Sequence, residues 1–233
     1  MEKTIDLHGE HHRLNRYRRL RASVLGAIAG LVAVSSLIAG LMASGAANTV
    51  LLTGVIALVA GTLALAAGQH VALRLRQDTE QADLEMEAHE LEINFEHELA
   101  ELRDIYVSRG VDPETAERVA RQMMAHDALG AHAREEMGLH QITDTRPLLA
   151  AIPLGAAFAA GAALPLLVAL LAPAGSMALF IFPLTLLALA VLGSLSSRTG
   201  GASMLTGGFR TVLWGAATMG VTALVGWLIA TLA

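Results

Sequence analysis

The sequence predicts an all-α membrane protein with five transmembrane helices and a cytoplasmic three-helix insert between helices 2 and 3. Three observations support this fold class. The 233 residues are 54% hydrophobic, which is too apolar for an ordinary soluble domain. Charged residues are absent from three long stretches, residues 22–73, 147–197 and 211–233. Acidic residues are instead concentrated between the first two of these stretches.

The three uncharged stretches divide into five membrane spans. A bilayer core is about 30 Å thick and needs about 20 apolar residues per helix. The first two stretches are each long enough for two helices, around turns at SGAANT and LAPAGS, and the third fits one. Buried helices of a soluble protein are the alternative, but such helices rarely run this long without a charge. The predicted spans lie near residues 23–43, 50–75, 148–170, 177–196 and 209–231.

The distribution of lysine and arginine predicts the orientation. All 16 of these residues lie in residues 3–21, 74–146 and 198–210. By the positive-inside rule the N-terminus and the insert are cytoplasmic, and five spans put the C-terminus outside. The length of the first apolar run and the polar residues before it argue against a cleaved signal peptide.

The polar arm at residues 1–21 contains three closely spaced histidines, His8, His11 and His12. They could bind a metal ion transiently, or the arm could be a flexible basic segment next to anionic lipid. Its arginines indicate topology rather than contacts to nucleic acid. We therefore divide the chain into residues 1–21 (arm), 22–75 (spans 1 and 2), 76–146 (cytoplasmic domain) and 147–233 (spans 3 to 5).

The insert is predicted to contain three helices. No glycine or proline occurs between Gln69 and Ser108, so the second span should continue into the cytoplasm as one helix. The sequence RGVDPET then ends it: Gly110 stops the helix, Asp112 caps the next one, and Pro113 occupies its first turn. The second and third helices are expected at about 113–128 and 130–138.

Acidic residues form a stripe on the first of these helices. Between Asp78 and Asp144 there are eighteen acidic residues and only five arginines. Two pairs of glutamates lie eleven residues apart, almost three helical turns, so they share one face; they are Glu87 with Glu90 and Glu98 with Glu101. Glu80 and Asp83 extend the stripe.

Stacked like charges repel each other and destabilise a helix. A divalent cation bound by several oxygen atoms would relieve this repulsion. The alternative is a solvated acidic face, and Glu85, Glu92 and Glu96 on the opposite side show that acidic residues alone prove little.

Four segments carry a resemblance to a known family. They are the histidine-rich arm before LRASVLGAIAGLVAVSSLIAGL, then LTGVIALVAGTLALAAGQHVALRLRQDTEQADLE, then ELAELRDIYVSRGVDPETAERVARQMMAHDALGAHAREEMGL, and finally FAAGAALPLL. Over nearly its whole length the chain resembles the bacterial branch of the vacuolar iron transporter (VIT, or CCC-type) family.

The resemblance implies five transmembrane helices and a homodimer formed around the first. It implies export of Fe²⁺ or Mn²⁺ from the cytosol in exchange for protons, with Zn²⁺ and Co²⁺ as further candidate ions. It implies a cytoplasmic metal-binding domain with ligands at Glu87, Glu90, Glu98, Glu101 and Glu136. His132 and Met137 could supplement these ligands. The expected partners are the lipid bilayer and metal ions, without an organic cofactor, nucleic acid or enzymatic activity.

The membrane pathway departs from the family pattern. Relatives read LGANDG where this chain reads LGAIAG, and LSMAAGEY where it reads LALAAGQH. The family's aspartate, methionine and glutamate are therefore replaced by Ala29, Leu65 and Gln69, and a further acidic position is Ala57. His70, in place of a tyrosine, is the one ionisable side chain in the uncharged stretches; it could ligate metal, carry a proton or be passive.

These replacements leave two functions open. The chain could transport metal, with Gln69, His70 and backbone carbonyls replacing the lost ligands. Alternatively, it could be a non-transporting, membrane-anchored protein that binds or senses metal. In the first span, the GxxxG step at Gly26 and Gly30 is compatible with a dimer seam, although this motif is common by chance.

Overall fold

The computed structural model describes residues 7–139, 146–173 and 175–232, with side chains from Ala22 onward. All regular structure in these residues is helical, which confirms the predicted fold class. A short 3₁₀ turn at Ala47–Thr49 precedes the second helix. The helices are α1 (Leu7–Ala43), α2 (Val50–Ile93), α3 (Phe95–Ser108), α4 (Pro113–Glu135), α5 (Pro147–Leu171), α6 (Met177–Thr199) and α7 (Met204–Leu232).

Five of the described helices, α1, α2, α5, α6 and α7, are long and apolar enough to cross a membrane, as predicted. With 44 residues, α2 is about 66 Å long, more than twice the thickness of a bilayer core. Its uncharged part ends at Leu73, so we expect residues 50–75 to cross the membrane and the rest of the helix to lie outside the hydrocarbon. α1 begins at Leu7, within the segment predicted as an arm, whereas the side chains of His8, His11 and His12 are outside the described residues.

The chain forms two compact units. Residues Val71–Pro147 make one, here called the insert unit. Residues Met1–His70 and Leu148–Ala233 make the other, here called the membrane unit. Helix α2 contributes residues to both units.

Glycine allows the backbones of α1 and α5 to touch inside the membrane unit. A Cβ on Gly30 would overlap the carbonyl oxygen of Phe158, and a Cβ on Gly161 would overlap that of Ala27. Gly26 also faces α5, with a Cβ position 2.7 Å from the carbonyl oxygen of Leu154. The GxxxG step therefore packs against α5 within one chain, and its glycines do not support a dimer seam on this face.

An apolar core fills the membrane unit. Val34 and Ile38 from α1 are fully buried against Phe158 and Leu166 from α5 and against Ile181 from α6. Close packing of this kind, rather than a hydrophobic driving force, holds helices together in lipid. One buried polar contact joins α1 to α6, where the hydroxyls of Ser35 and Thr185 are 2.9 Å apart.

The insert unit differs from the single long helix predicted up to Ser108. Asn94 has φ −135° and ψ 38°, which ends α2, and its carbonyl accepts hydrogen bonds from the first turn of α3. The cause is packing: Leu99 and Leu102 are buried against Met124 of α4, which requires α3 to leave the direction of α2. Asparagine is readily accommodated at such breaks because it favours caps and turns over helix interiors.

The turn between α3 and α4 has the predicted chemistry. Gly110 has φ +94°, a conformation that favours glycine. Asp112 accepts a hydrogen bond from the Thr115 amide at 3.0 Å, and Pro113 follows in the first turn. The two helices expected at 113–128 and 130–138 are both present and are separated at Asp127, whose φ of −161° and ψ of 85° are not helical; we number them together as α4.

Candidate metal centre

The insert unit brings together glutamates from three helices. Glu87 and Glu90 lie near the end of α2, Glu98 and Glu101 lie on the first two turns of α3, and Glu136 follows α4. In one continuous helix, the eleven residues between Glu87 and Glu98 would span about 16 Å. Instead, one carboxylate oxygen from each of Glu87, Glu90 and Glu98 lies within 4.8 Å of the others. The break at Asn94 turns a stacked stripe into a convergent site.

Two further groups overlap with this one. Glu87 also lies with His132 and Glu136, and Glu98 also lies with His97 and Glu101, again with ligand atoms within 4.8 Å. All five glutamates predicted as ligands therefore belong to three overlapping groups. We call Glu87, Glu90, Glu98, Glu101 and Glu136 the carboxylate cluster.

Two other carboxylates of the predicted stripe have different surroundings. Glu80 accepts a hydrogen bond from Arg76 Nε at 2.6 Å, so its charge is already paired within α2. Asp83 is exposed. Neither belongs to the three groups of possible metal ligands found in the described residues. Glu80 and Asp83 thus continue the acidic face of α2 but lie outside the groups of possible ligands, which converge at the helix break.

His132 is the buried centre of the site. Its side chain is 0% exposed, and its Nδ1–H donates a hydrogen bond to Glu136 Oε2 at 3.0 Å. The same nitrogen lies 2.8 Å from Glu87 Oε1 and 3.9 Å from Glu98 Oε2. Among the residues described here, His132 Nε2 has no hydrogen-bond partner, and Glu87 Oε1 has the ion-pair contact with Nδ1 but no hydrogen bond of good geometry. Unsatisfied buried groups of this kind are uncommon, and a bound ion is one explanation for them.

The electrostatics of the site favour protonation when no metal is present. Burial raises the pKa of Glu87 to about 7, and repulsion from Glu136, Glu98 and Glu90 adds to the rise, while His132 opposes it. Burial likewise raises the pKa of Glu98, together with repulsion from Glu101. A cation would favour the charged form of both groups.

Arg109 holds the end of α4 in place. Its guanidinium forms an ion pair with the Glu135 carboxylate and donates a hydrogen bond from Nη2 to the Glu135 carbonyl at 3.0 Å. It also lies over the ring of Tyr106, 5.7 Å from the centroid. Because Glu135 adjoins Glu136, these contacts fix the segment that supplies Glu136 and His132.

The donor set suits a divalent cation of hard or borderline character. Carboxylate oxygens favour such ions, and one imidazole extends the range towards Fe²⁺, Zn²⁺ and related metals. Sequence reasoning treated His132 only as a supplement and missed His97. His132 could have been predicted as a ligand from its spacing, because it lies four residues before Glu136. For His97, the only indication in the sequence is that it precedes Glu98.

Comparison with known proteins identifies the family. The model of the VIT family matches residues 20–227. The chain belongs to the VIT family. It is 43% identical to a vacuolar iron transporter of Acanthamoeba castellanii, over 96% of this chain and 84% of that protein. It is 31% identical to vacuolar iron transporter homolog 1 of Oryza sativa subsp. japonica (89% and 72% covered) and 27% identical to vacuolar iron transporter 1 of Arabidopsis thaliana (91% and 86%).

Three of the membrane positions that we expect to depart from the family pattern are apolar in their packing as well as in their side chains. Ala29, Ala57 and Leu65 all pack against the core that contains Phe158. Gln69 and His70 are half-buried, and His70 Nδ1 has no hydrogen-bond partner within the described part of the chain. The predicted pathway positions thus separate into an apolar set and a polar pair at the end of the uncharged stretch.

Proposed function

We propose that this VIT-family protein exports Fe²⁺ or Mn²⁺ from the cytosol in exchange for protons, with the carboxylate cluster as the site that captures the ion. The observation that carries this proposal is the convergence of Glu87, Glu90 and Glu98 around one point, with His132 and Glu136 beside Glu87. Zn²⁺ and Co²⁺ fit the same donors. The protein would act in a bacterial cell membrane, with the insert unit in the cytosol.

The chemistry of capture follows from the raised pKa of Glu87. A cation that enters the cluster would displace the proton from this carboxyl and remove the mutual repulsion of the glutamates. His132 would contribute through its unpartnered Nε2 or through Nδ1 after release of Glu136. Gln69 and His70 are the polar side chains available to an ion that continues along α2.

A homodimer would have to use a surface of α1 other than the Gly26 and Gly30 face, which packs on α5. Ala33 is exposed on α1 and marks such a surface. We keep the dimer around α1 as a proposal on this basis.

A second function is favoured by one observation, the apolar packing of Ala29, Ala57 and Leu65. If the family's route needs ligands at these positions, the chain would bind or sense metal without moving it. An intramembrane carboxylate is costly and is retained mainly for function, so its replacement by alanine removes both the cost and the ligand.

Flux measurements distinguish the two functions. Proteoliposomes with an imposed pH gradient would be assayed for Fe²⁺ and Mn²⁺ flux, beside a triple variant with Ala29→Asp, Leu65→Met and Gln69→Glu. We expect flux in the unmodified protein and its loss in a Glu87→Gln, Glu98→Gln double variant. A Glu92→Gln control changes an exposed glutamate outside the three groups and should keep the flux.

The opposite result would support the second function. If the unmodified protein binds metal without flux, and the triple variant gains flux, the chain is a metal-binding protein that has lost transport. Absence of metal binding by the unmodified protein would contradict both functions.

A further inference from the structure

A groove separate from the carboxylate cluster lies among α1, α6 and α7 of the membrane unit. It has a volume of about 520 Å³. Leu25 and Ile28 of α1 form an apolar wall, Ser196 and Ser197 of α6 supply hydroxyl groups, and α7 contributes a cation, Arg210, and an indole ring, Trp214. The groove is thus polar at one end and apolar along its wall.

Arg210 has no carboxylate to pair with in the described side chains of the membrane unit. The sequence has no aspartate or glutamate between Ala22 and Leu73 or after Asp144. Among the described residues, the salt bridges all involve other cations. The same stretches of a second copy would also offer no carboxylate. The counter-charge for Arg210 must therefore come from outside these stretches.

The position of Arg210 along α7 places it at the level of lipid phosphates. From Thr211 to Leu232 the helix has 22 uncharged residues, about 33 Å, which matches the thickness of the hydrocarbon core. Trp214 follows one turn further along α7 and is 69% exposed. Tryptophan and arginine are typical residues of the boundary between hydrocarbon and headgroups.

We propose that this groove binds an anionic phospholipid, with its phosphate at Arg210, Ser196 and Ser197 and an acyl chain along Leu25, Ile28 and Trp214. Charge complementarity favours this occupant, because the groove combines an apolar wall with a cation that has no carboxylate partner among the described side chains, and a membrane supplies phosphate and acyl chain in one molecule. The predicted orientation puts the α6–α7 turn in the cytoplasmic leaflet, where anionic lipids attract basic residues. The inference does not depend on metal transport.

Fluorescence of Trp214 provides a local test. The chain has two tryptophans, so a Trp227→Phe background leaves Trp214 as the one reporter. The full chain would be reconstituted in phosphatidylcholine vesicles with about 10 mol% brominated phosphatidylglycerol, or with equal brominated phosphatidylcholine. We expect the quenching to show an about fivefold preference for the anionic lipid. This is the preference that one basic residue near the membrane surface contributes.

Matched arginine variants distinguish a lipid-binding site at Arg210 from a general attraction of anionic lipid to positive charge. Arg210→Gln should abolish the preference and Arg210→Lys should retain most of it. Arg198→Gln removes an equal charge from the end of α6, outside the groove residues, and should keep the preference. Circular dichroism checks that each variant remains helical.

Four outcomes would overturn the proposal. Equal quenching by both lipids would mean that the groove does not select a charged headgroup. Equal losses in Arg210→Gln and Arg198→Gln would mean that overall charge causes the preference. Competition by glycerol phosphate as effective as by lipid would indicate a site for free phosphate. Absence of quenching together with cross-linking through Trp214 would indicate that a second copy covers the groove.

Discussion

Three features of Glu87 determine how easily its buried carboxylate loses a proton. It is 3% exposed, it lies beside other glutamates, and its nearest possible cation is the imidazole of His132. Burial is the largest cause of its raised pKa, so the protonated form dominates below about pH 7. A proton and a metal ion therefore compete for the same oxygen atoms.

Metal binding should depend on pH with a defined sign. At pH 6 most of the Glu87 carboxyl would carry a proton, because burial raises its pKa to about 7. Binding at pH 6 must release that proton, so the affinity should fall as the pH decreases below 7 and should become less sensitive to pH above it. Isothermal titration calorimetry with Mn²⁺ in buffers of different ionisation enthalpy, at pH 6 and pH 8, measures the proton release.

Variants assign this release to a residue. Glu87→Gln should remove most of the extra proton release at pH 6, and Glu92→Gln should leave it unchanged. Equal proton release at pH 6 and pH 8 in the unmodified protein would show that Glu87 is not protonated before metal binds.

At the scale of elements, the break between α2 and α3 brings Glu87, Glu90 and Glu98 of the carboxylate cluster together. The intrinsic preference of alanine over asparagine in a helix is about 0.7 kcal/mol or less. Burial of Leu99 and Leu102 stabilises the packing of α3 by about 1.5–3 kcal/mol for each residue. Packing therefore outweighs propensity, and we infer that the α3–α4 interface, not Asn94, determines the break.

Two substitutions test which of these causes dominates. Asn94→Ala should preserve the break and change Mn²⁺ affinity by less than about twofold, because the lost preference is small. Leu102→Ala should reduce the free energy of unfolding of the insert unit by about 2–5 kcal/mol and weaken metal binding. Urea unfolding and calorimetry of both variants give these values. Loss of metal binding in Asn94→Ala alone would mean that asparagine itself dictates the break.

The sequence was sufficient for some elements and insufficient for others, for physical reasons. The turn at Gly110, Asp112 and Pro113 was predictable because each residue imposes a local conformation. The break at Asn94 was not, because it depends on contacts between α3 and α4. Helical periodicity placed Glu87 and Glu98 on one face, but only tertiary packing brings their oxygen atoms together.

At the scale of the whole molecule, the two units differ in what stabilises them. The long stretches without charged residues were sufficient to predict the membrane spans, because the bilayer core tolerates few charges. The apolar packing of Ala29, Ala57 and Leu65 could not be predicted from the sequence, because the type of a residue does not reveal which side chains it contacts. The predicted membrane pathway is therefore supported only by sequence positions. The predicted metal centre is supported in addition by the short distances between its carboxylate oxygens.

Metal should stabilise the two units unequally. A ligand at 100 times its Kd stabilises the state that binds it by about 2.7 kcal/mol. Hydrogen exchange with and without saturating Mn²⁺ should therefore show slower exchange in residues 71–147, with little change in α6 and α7. In the Glu87→Gln, Glu98→Gln double variant this protection should disappear. Equal protection throughout the protein would contradict a site confined to the insert unit.

The contact between α1 and α5 has a mechanical consequence. At Gly30 and Gly161 the two backbones touch, so neither helix can rotate or slide along the other without a collision. They should move as one rigid body in any conformational cycle. α2 meets α5 less tightly: Gly61 and Gly54 of α2 face the ring of Phe158 and the side chain of Leu166, and a Cβ on Gly155 would lie 3.2 Å from the carbonyl oxygen of Thr62. Movement of α2 along α5 should therefore be easier than movement of α1 along α5, because two of these three contacts are made by side chains that can change rotamer.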